Sequence, residues 1–214
     1  MKTRTLLLGF ILCLLFHPIW DIMAHGTSTE HSPATPAEVV KNAIDQILEA
    51  VNKYPCKGKE DANCTAFKER VHEIAEAFID FDRVSKLALG RYRRRFNETE
   101  IAEFKRLFQE LLERTYMRKL QDYSGEKIIF ERERKLNEFK VQVNTKVITS
   151  TNAIPVSYRL FKKNGHWKVY DILVEGVSLL KNYRQQFSNI LRSKKPDYLI
   201  KLLQKKLSSL DENR

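Results

Sequence analysis

Apolar residues recur every three or four positions through the first half of the chain, switch to every second position over 127–173, and return to helical spacing afterwards. Val39, Val40, Ala43, Ile44, Ile47, Leu48 and Val51 form one helical stripe, which Pro55 closes. Thr35-Pro36-Ala37-Glu38 opens it with a capping box and a proline at the first helical position. Phe67, Val71, Ile74, Ala75 and Phe78 predict a second helix over 65–81, and a short third over 84–89 ends at Gly90. A second capping box, Asn97-Glu98-Thr99-Glu100, opens a long helix bearing Ile101, Phe104, Leu107, Phe108, Leu111, Leu112, Tyr116 and Leu120.

The period then becomes two. A strand is predicted over 127–133. Phe139, Val141, Val143, Thr145 and Val147 alternate with Lys140, Gln142, Asn144 and Lys146, the pattern of a half-buried strand. Val156, Tyr158 and Leu160 continue it. Asn164-Gly165 is a hairpin turn, and Trp167, Val169, Asp171 and Leu173 alternate beyond it. After Gly176, helices are predicted over 177–193 and 196–210. Helices, one antiparallel sheet of about four strands, then helices again is an α+β layout. It predicts a helical layer wrapped over the sheet, NTF2-like or cystatin-like, with an apolar cavity between the layers.

The N-terminus stands apart. Lys2 and Arg4 precede a stretch over 6–19 that is apolar except for Gly9, His17 and Pro18. It is shorter than the roughly 20 residues that span a bilayer, and it has the secretory pattern. We therefore expect a signal peptide over 1–24, cleaved at Ala24 or before Gly26, then a polar tether over 25–34 and one domain over 35–214. Leu12 before Cys13 argues against lipidation. The expected destination is the periplasm, without stable membrane insertion. The net charge is +11 and stays near +10 after cleavage. This favours anionic partners, and export makes nucleic acid the weakest of them.

Cys56 and Cys64 flank a polar loop containing Gly58. In an oxidising compartment that spacing reads as a disulfide across a helix–helix turn. Two cysteines without nearby histidines are too few ligands for zinc, so no metal is expected; free thiols are the other alternative.

Catalytic motifs fail in detail. His72-Glu73-Ile74-Ala75-Glu76 has a glutamate where a zinc protease helix needs its second histidine, and His72 reads as a surface residue. Gly176-Val177-Ser178-Leu179-Leu180 lacks the closing glycine of a nucleophile elbow. No P-loop or dinucleotide turn is present. On a regular strand His166 and Asp171 point to opposite faces. Asp171 would share a face with Trp167, Val169 and Leu173, where it needs a partner such as Tyr183 or Arg184. Arg91-Tyr92-Arg93-Arg94-Arg95 is the densest basic cluster.

Four segments together resemble the MlaC (toluene-tolerance) family. They are the stretch over 81–92 ending in Leu89-Gly90-Arg91-Tyr92, the long helix with Tyr116, Leu120, Tyr123 and Gly125, the segment from Trp167 to Leu179, and Asn182-Tyr183-Arg184-Gln185-Gln186-Phe187. Their order and spacing hold over about residues 36–210. Cys56, Cys64 and Arg93 to Arg95 lie outside that pattern. The resemblance implies a non-enzymatic periplasmic phospholipid shuttle without cofactors. It would carry its cargo between an outer-membrane lipoprotein–porin complex and the inner-membrane Mla ABC transporter, maintaining outer-membrane lipid asymmetry.

The expected lipid-contacting set is Phe104, Phe108, Leu111, Val143, Val147, Tyr158, Leu160, Val169 and Leu173. Arg91, Arg93, Arg94 and Arg95 are the expected docking residues. Two other readings stay open: an NTF2-like exported enzyme using Asp171 or Tyr158 in a polar pocket, and an exported adaptor that binds only protein.

Overall fold

Capping chemistry sets the helix boundaries. The computed structural model describes residues 34–56 and 61–212; the expected signal peptide and, except for Ala34, the tether lie outside them. Helix α1 (Pro36–Lys53) starts at the Thr35/Glu38 capping box. Helix α2 (Ala62–Phe78) starts earlier than periodicity predicted, because Asp61 accepts from Cys64 N at 2.8 Å. It ends earlier too: Ile79 is extended and bridges to Val169, and Asp80 N donates to Val169 O at 3.0 Å. Asp80 then caps α3 (Phe81–Leu89) through Arg83 N at 2.9 Å. A 3-10 helix (Gly90–Arg95) leads to α4 (Glu98–Gln121), entered through the Asn97/Glu100 box.

The sheet follows: β1 (Lys127–Phe130), β2 (Arg134–Asn137), β3 (Lys140–Ile148), β4 (Ala153–Lys163), β5 (His166–Val174) and β6 (Val177–Ser178). The chain closes with α5 (Leu179–Leu191) and α6 (Pro196–Glu212). This is the expected α+β arrangement of helices with one antiparallel sheet. The order is β1-β3-β4-β5-β6, with β2 also pairing β3, so the sheet has six strands among the described residues and not four. The extra strands have physical causes. The predicted strand over 127–133 stops at Phe130, and β1 lies against one end of β3 (Phe130 opposite Thr145) while β2 lies against the other (Arg134 opposite Gln142). β2 is exposed throughout and carries no apolar alternation that would have announced it. β6 follows a two-residue turn, Glu175-Gly176, with φ of 51° and 80°, the geometry that matches strand twist.

The helices hold the largest apolar cluster. Phe104, Leu107, Phe108 and Leu111 of α4 meet Leu89, Phe187, Leu191, Leu199 and Leu203. The rings of Phe104, Phe108 and Phe187 lie 5.1–5.5 Å apart, stacked or edge-on. Burial of each such side chain contributes about 1.5–3 kcal/mol. A smaller cluster joins Val40 of α1 to Val143, Leu160 and Val169 of the sheet. A third, Ala50, Phe67, Val71 and Met117, ties α1, α2 and α4 together beside Cys56.

Candidate functional site: the apolar face of the sheet

Strand register sorts the side chains into two unlike faces. Val143 lies opposite Tyr158, Thr145 opposite Val156, and Val147 opposite Ile154. Tyr158 in turn faces Ile172, Val156 faces Val174 and Leu160 faces Val169; Ile128 faces Val147 and Phe130 faces Thr145. These residues form one apolar inner face. The outer face is a polar ladder. Arg134 and Arg159 donate to Gln142 Oε1 (3.2 and 3.3 Å), Gln142 donates to Asn144 (2.8 Å), and Ser157 Oγ donates to the same oxygen (2.9 Å).

The inner face is unevenly covered. Where α1 lies on it, Val143 and Leu160 are 0% exposed. Beside Val143, Tyr158 and Ile172 are half-buried, and toward the other end so are Ile128, Phe130, Val147, Ile154, Val156 and Val174, around a buried Thr145. Half-buried apolar side chains also occur on α1 (Ile44, Ile47, Leu48), α4 (Leu112, Tyr116) and α5 (Leu180, Tyr183). Phe130, Tyr158 and Ile172 pack against the cluster beneath α1, whereas Ile128, Val147, Ile154, Val156 and Val174 join none of the core clusters and leave this apolar strip partly uncovered. Its phenols favour their neutral form. Burial, with Tyr183 as the next contributor, pushes Tyr116 up to about 12. Burial also raises Tyr183 and Tyr158, partly opposed by their hydroxyl partners Thr115, Tyr116 and Thr145.

The expected lipid-contacting residues separate into three groups. Phe104, Phe108 and Leu111 fill the helical core, and Val143, Leu160 and Val169 fill the core beneath α1. Val147 and Tyr158 sit in the half-buried strip. Leu173 is on the other face, because a β-bulge interrupts β5: Arg159 pairs with Asp171 but Leu160 pairs with Val169, leaving Tyr170 as the extra residue. Beyond the bulge Ile172 and Val174 take the inner face, and Asp171 and Leu173 the outer. The strip residues missed from the sequence are Ile128, Phe130, Ile154, Val156, Ile172 and Val174. Alternation signalled those of β1 and β4, but no local signal announced the bulge.

The same bulge revises Asp171. It leaves the face of Trp167 and Val169 and is fully satisfied without Tyr183 or Arg184. Ser178 Oγ donates to it at 2.7 Å, Leu180 N at 3.1 Å and Arg159 Nη1 at 3.2 Å. It thereby anchors the start of α5, whose cap is Ser178 itself. His166 and Asp171 now share the outer face, but five residues place them about 16 Å apart along the strand. Tyr158 and Asp171 lie on opposite faces, so they form no common polar pocket. Arg184 instead packs on Gly90, whose φ is 54°; a Cβ there would meet its Nε at 2.9 Å. Two of the four resembling segments thus meet in space.

The arginine cluster is not uniform. Arg93 and Arg94 are exposed, and Arg91 donates to the Tyr92 hydroxyl at 3.0 Å. Arg95 is committed to the C-terminal end of α5, donating to Leu191 O and, at 2.8 Å, to Lys194 O. His72, on α2, has Nδ1 3.0 Å from both Glu113 oxygens. Glu113's hydrogen bond raises its pKa, against the smaller opposing effect of burial. This pair lines an open groove of about 490 Å³ with Glu76, Lys105, Arg106, Gln109 and Glu110, a charged lining unlike the apolar strip. Cys56 and Cys64 form a disulfide with Cα atoms 4.7 Å apart. Among the described residues no group of three metal-binding side chains occurs, and no helix is long and apolar enough to cross a membrane.

Comparison with known proteins gives a consistent result. The MlaC protein family model matches residues 41–205. The chain is 27% identical over 188 residues to the intermembrane phospholipid transport system binding protein MlaC of Haemophilus influenzae, covering 85% of this chain and 86% of that one. It is 26% identical over 186 residues to toluene tolerance protein ttg2D of Pseudomonas putida, covering 86% and 81%. A phospholipid-binding protein from Ralstonia solanacearum, solved in complex with a phospholipid, shares the fold: TM-score 0.71, 24% identity, 83% of this chain and 99% of that one. Over most of its length, therefore, this chain belongs to the MlaC family.

Proposed function

We propose that the protein binds a phospholipid with its acyl chains against the half-buried strip of the sheet, and that it shuttles this cargo across the periplasm after export by a cleaved signal peptide. The observation that carries the reading is the change along one sheet face, from Val143 and Leu160 at 0% exposure to Ile128, Val147 and Ile154, which are half-buried and join none of the core clusters. A filled core would have buried both ends. The relatives support the same reading: the Haemophilus influenzae protein is named for intermembrane phospholipid transport, and the Ralstonia solanacearum protein was solved with a phospholipid.

Burial contributes about 0.8 kcal/mol per CH₂, so two long chains amount to roughly 20 kcal/mol or more. Unassisted release into water is therefore very slow. Cargo must pass directly between apolar sites in docked partners: the outer-membrane lipoprotein–porin complex and the inner-membrane Mla ABC complex. The protein itself performs no bond chemistry and needs no cofactor.

Native mass spectrometry of the purified protein tests the reading. A co-purifying phospholipid, lost from Val147 variants that remain folded, is the expected result. An empty protein from cells with ample phospholipid overturns it.

A further inference from the structure

Two basic segments about a hundred residues apart meet at one corner. Arg95 is the clasp, with its guanidinium on the carbonyls of Leu191 and Lys194. Tyr92 is the second contact, its hydroxyl beside Arg91 and Ser188 and in the field of Arg192. Segments 91–97 and 192–201 together hold eight cations and a single carboxylate, Asp197. Among the described residues Arg93, Arg94, Arg192, Lys194 and Lys195 are exposed and have no carboxylate partner. Several cations elsewhere are paired: Lys86 and Lys105 with Asp82, Arg106 with Glu103 and Glu110, Lys146 with Glu131. Unpaired like charges at close quarters repel one another, so this corner is electrostatically unfinished in the isolated protein.

An apolar element completes the corner. Tyr198 and Leu202, one turn apart on α6, are 47% and 39% exposed and join none of the core clusters. The Lys194 ammonium lies 5.4 Å from the Tyr198 ring centre, and Lys201, Lys205 and Lys206 are exposed along the same helix. An aromatic and a leucine ringed by cations is the composition of a helix that rests in a membrane interface.

We propose that this corner, built from Arg93, Arg94, Arg192, Lys194, Tyr198 and Leu202, docks the protein on the surface of an anionic lipid bilayer. Guanidinium forks match phosphate oxygens, and headgroups rearrange to meet cations that project from two separate segments. A folded protein partner would need carboxylates fixed opposite each one. Tyr198 and Leu202 then enter the interfacial layer. The inference is independent of the cargo reading, because it concerns the outside of the helical layer and not the strip on the sheet.

Vesicle co-sedimentation tests it, using phosphatidylcholine vesicles with and without 30% phosphatidylglycerol as the probe. The purified full protein should bind the phosphatidylglycerol vesicles at low salt, bind poorly at 0.5 M salt, and ignore pure phosphatidylcholine. Each cation near an anionic leaflet contributes about five-fold in partition, so the double variant Arg93→Glu, Arg94→Glu should lose at least about 25-fold. The variant Tyr198→Ser, Leu202→Ser should also bind less while keeping the salt dependence. Both changes are at exposed positions, and a far-ultraviolet melt checks that they fold. Inorganic phosphate at 10 mM should not displace the protein from vesicles; full displacement would reduce the corner to a site for free phosphate and overturn the proposal. Equal binding to both vesicle types overturns it as well, as does absence of vesicle binding by a protein that captures an acidic polypeptide. Bound cargo in the same samples is measured separately, so failure here leaves the carrier reading intact and the converse also holds.

Discussion

Replacing Val147 by Asp separates a cargo surface from a packed core. Val147 has Ile128 opposite it on β1 and Ile154 opposite it on β4, so the new carboxylate sits between two apolar neighbours. The position is half-buried. The carboxylate keeps water on one side, and the cost is about 1 kcal/mol, roughly half the burial value of a valine. With acyl chains laid over it that water is lost, and an unpaired carboxylate then costs several kcal/mol. This corresponds to about two to three orders of magnitude in cargo affinity. Val143→Asp is the contrasting variant: Val143 is 0% exposed, packed among Val40, Leu160 and Val169, and its carboxylate is dry with or without cargo. It should fail to fold. The assay is native mass spectrometry for bound lipid, paired with urea melts of delipidated protein, because bound cargo itself raises the melting point. Wild-type lipid occupancy in a folded Val147→Asp protein would refute the assignment of the strip.

Three further outcomes follow from the geometry. Protein made in an oxidising compartment should show the loss of two hydrogens expected for a Cys56–Cys64 disulfide, and Cys64→Ser should lower stability by at most about 2–3 kcal/mol in a denaturant melt; two freely alkylatable thiols in the unreduced, unfolded protein would refute the bond. Asp171→Ala strands Ser178, the Leu180 amide and Arg159, so it should cost about 3–5 kcal/mol without altering lipid identity, measured by urea unfolding. His72 should titrate above its ordinary 6.5 because of Glu113, and Glu113→Gln should bring it down in an NMR titration. The sign is fixed: this raised pKa gives stability that is fully present below the unfolded value and lost as pH rises through the folded one, and a flat profile in that window contradicts the pairing.

The sequence by itself determined the helices, the change of period at residue 127, the two capping boxes and the α+β layout, because each is written in local spacing. It also identified the family, since the segment from Trp167 to Leu179 and the segment from Asn182 to Phe187 carry their pattern in contiguous residues. Tertiary structure decided the rest. The bulge at Tyr170 depends on how β5 meets β4, and it moves Asp171 and Leu173 to the outer face against the alternation seen in the sequence. Burial separated Val143 from Val147: both lie on one apolar stripe of β3, but Val143 packs against Val40 of α1 whereas Val147 is half-buried and joins none of the core clusters. Arg95 reads as one more charge in a run, and only the arrival of α5 makes it a cap on that helix. Periodicity records which side of an element is apolar; it carries no information on what, if anything, covers that side, because coverage is set by residues distant in the chain.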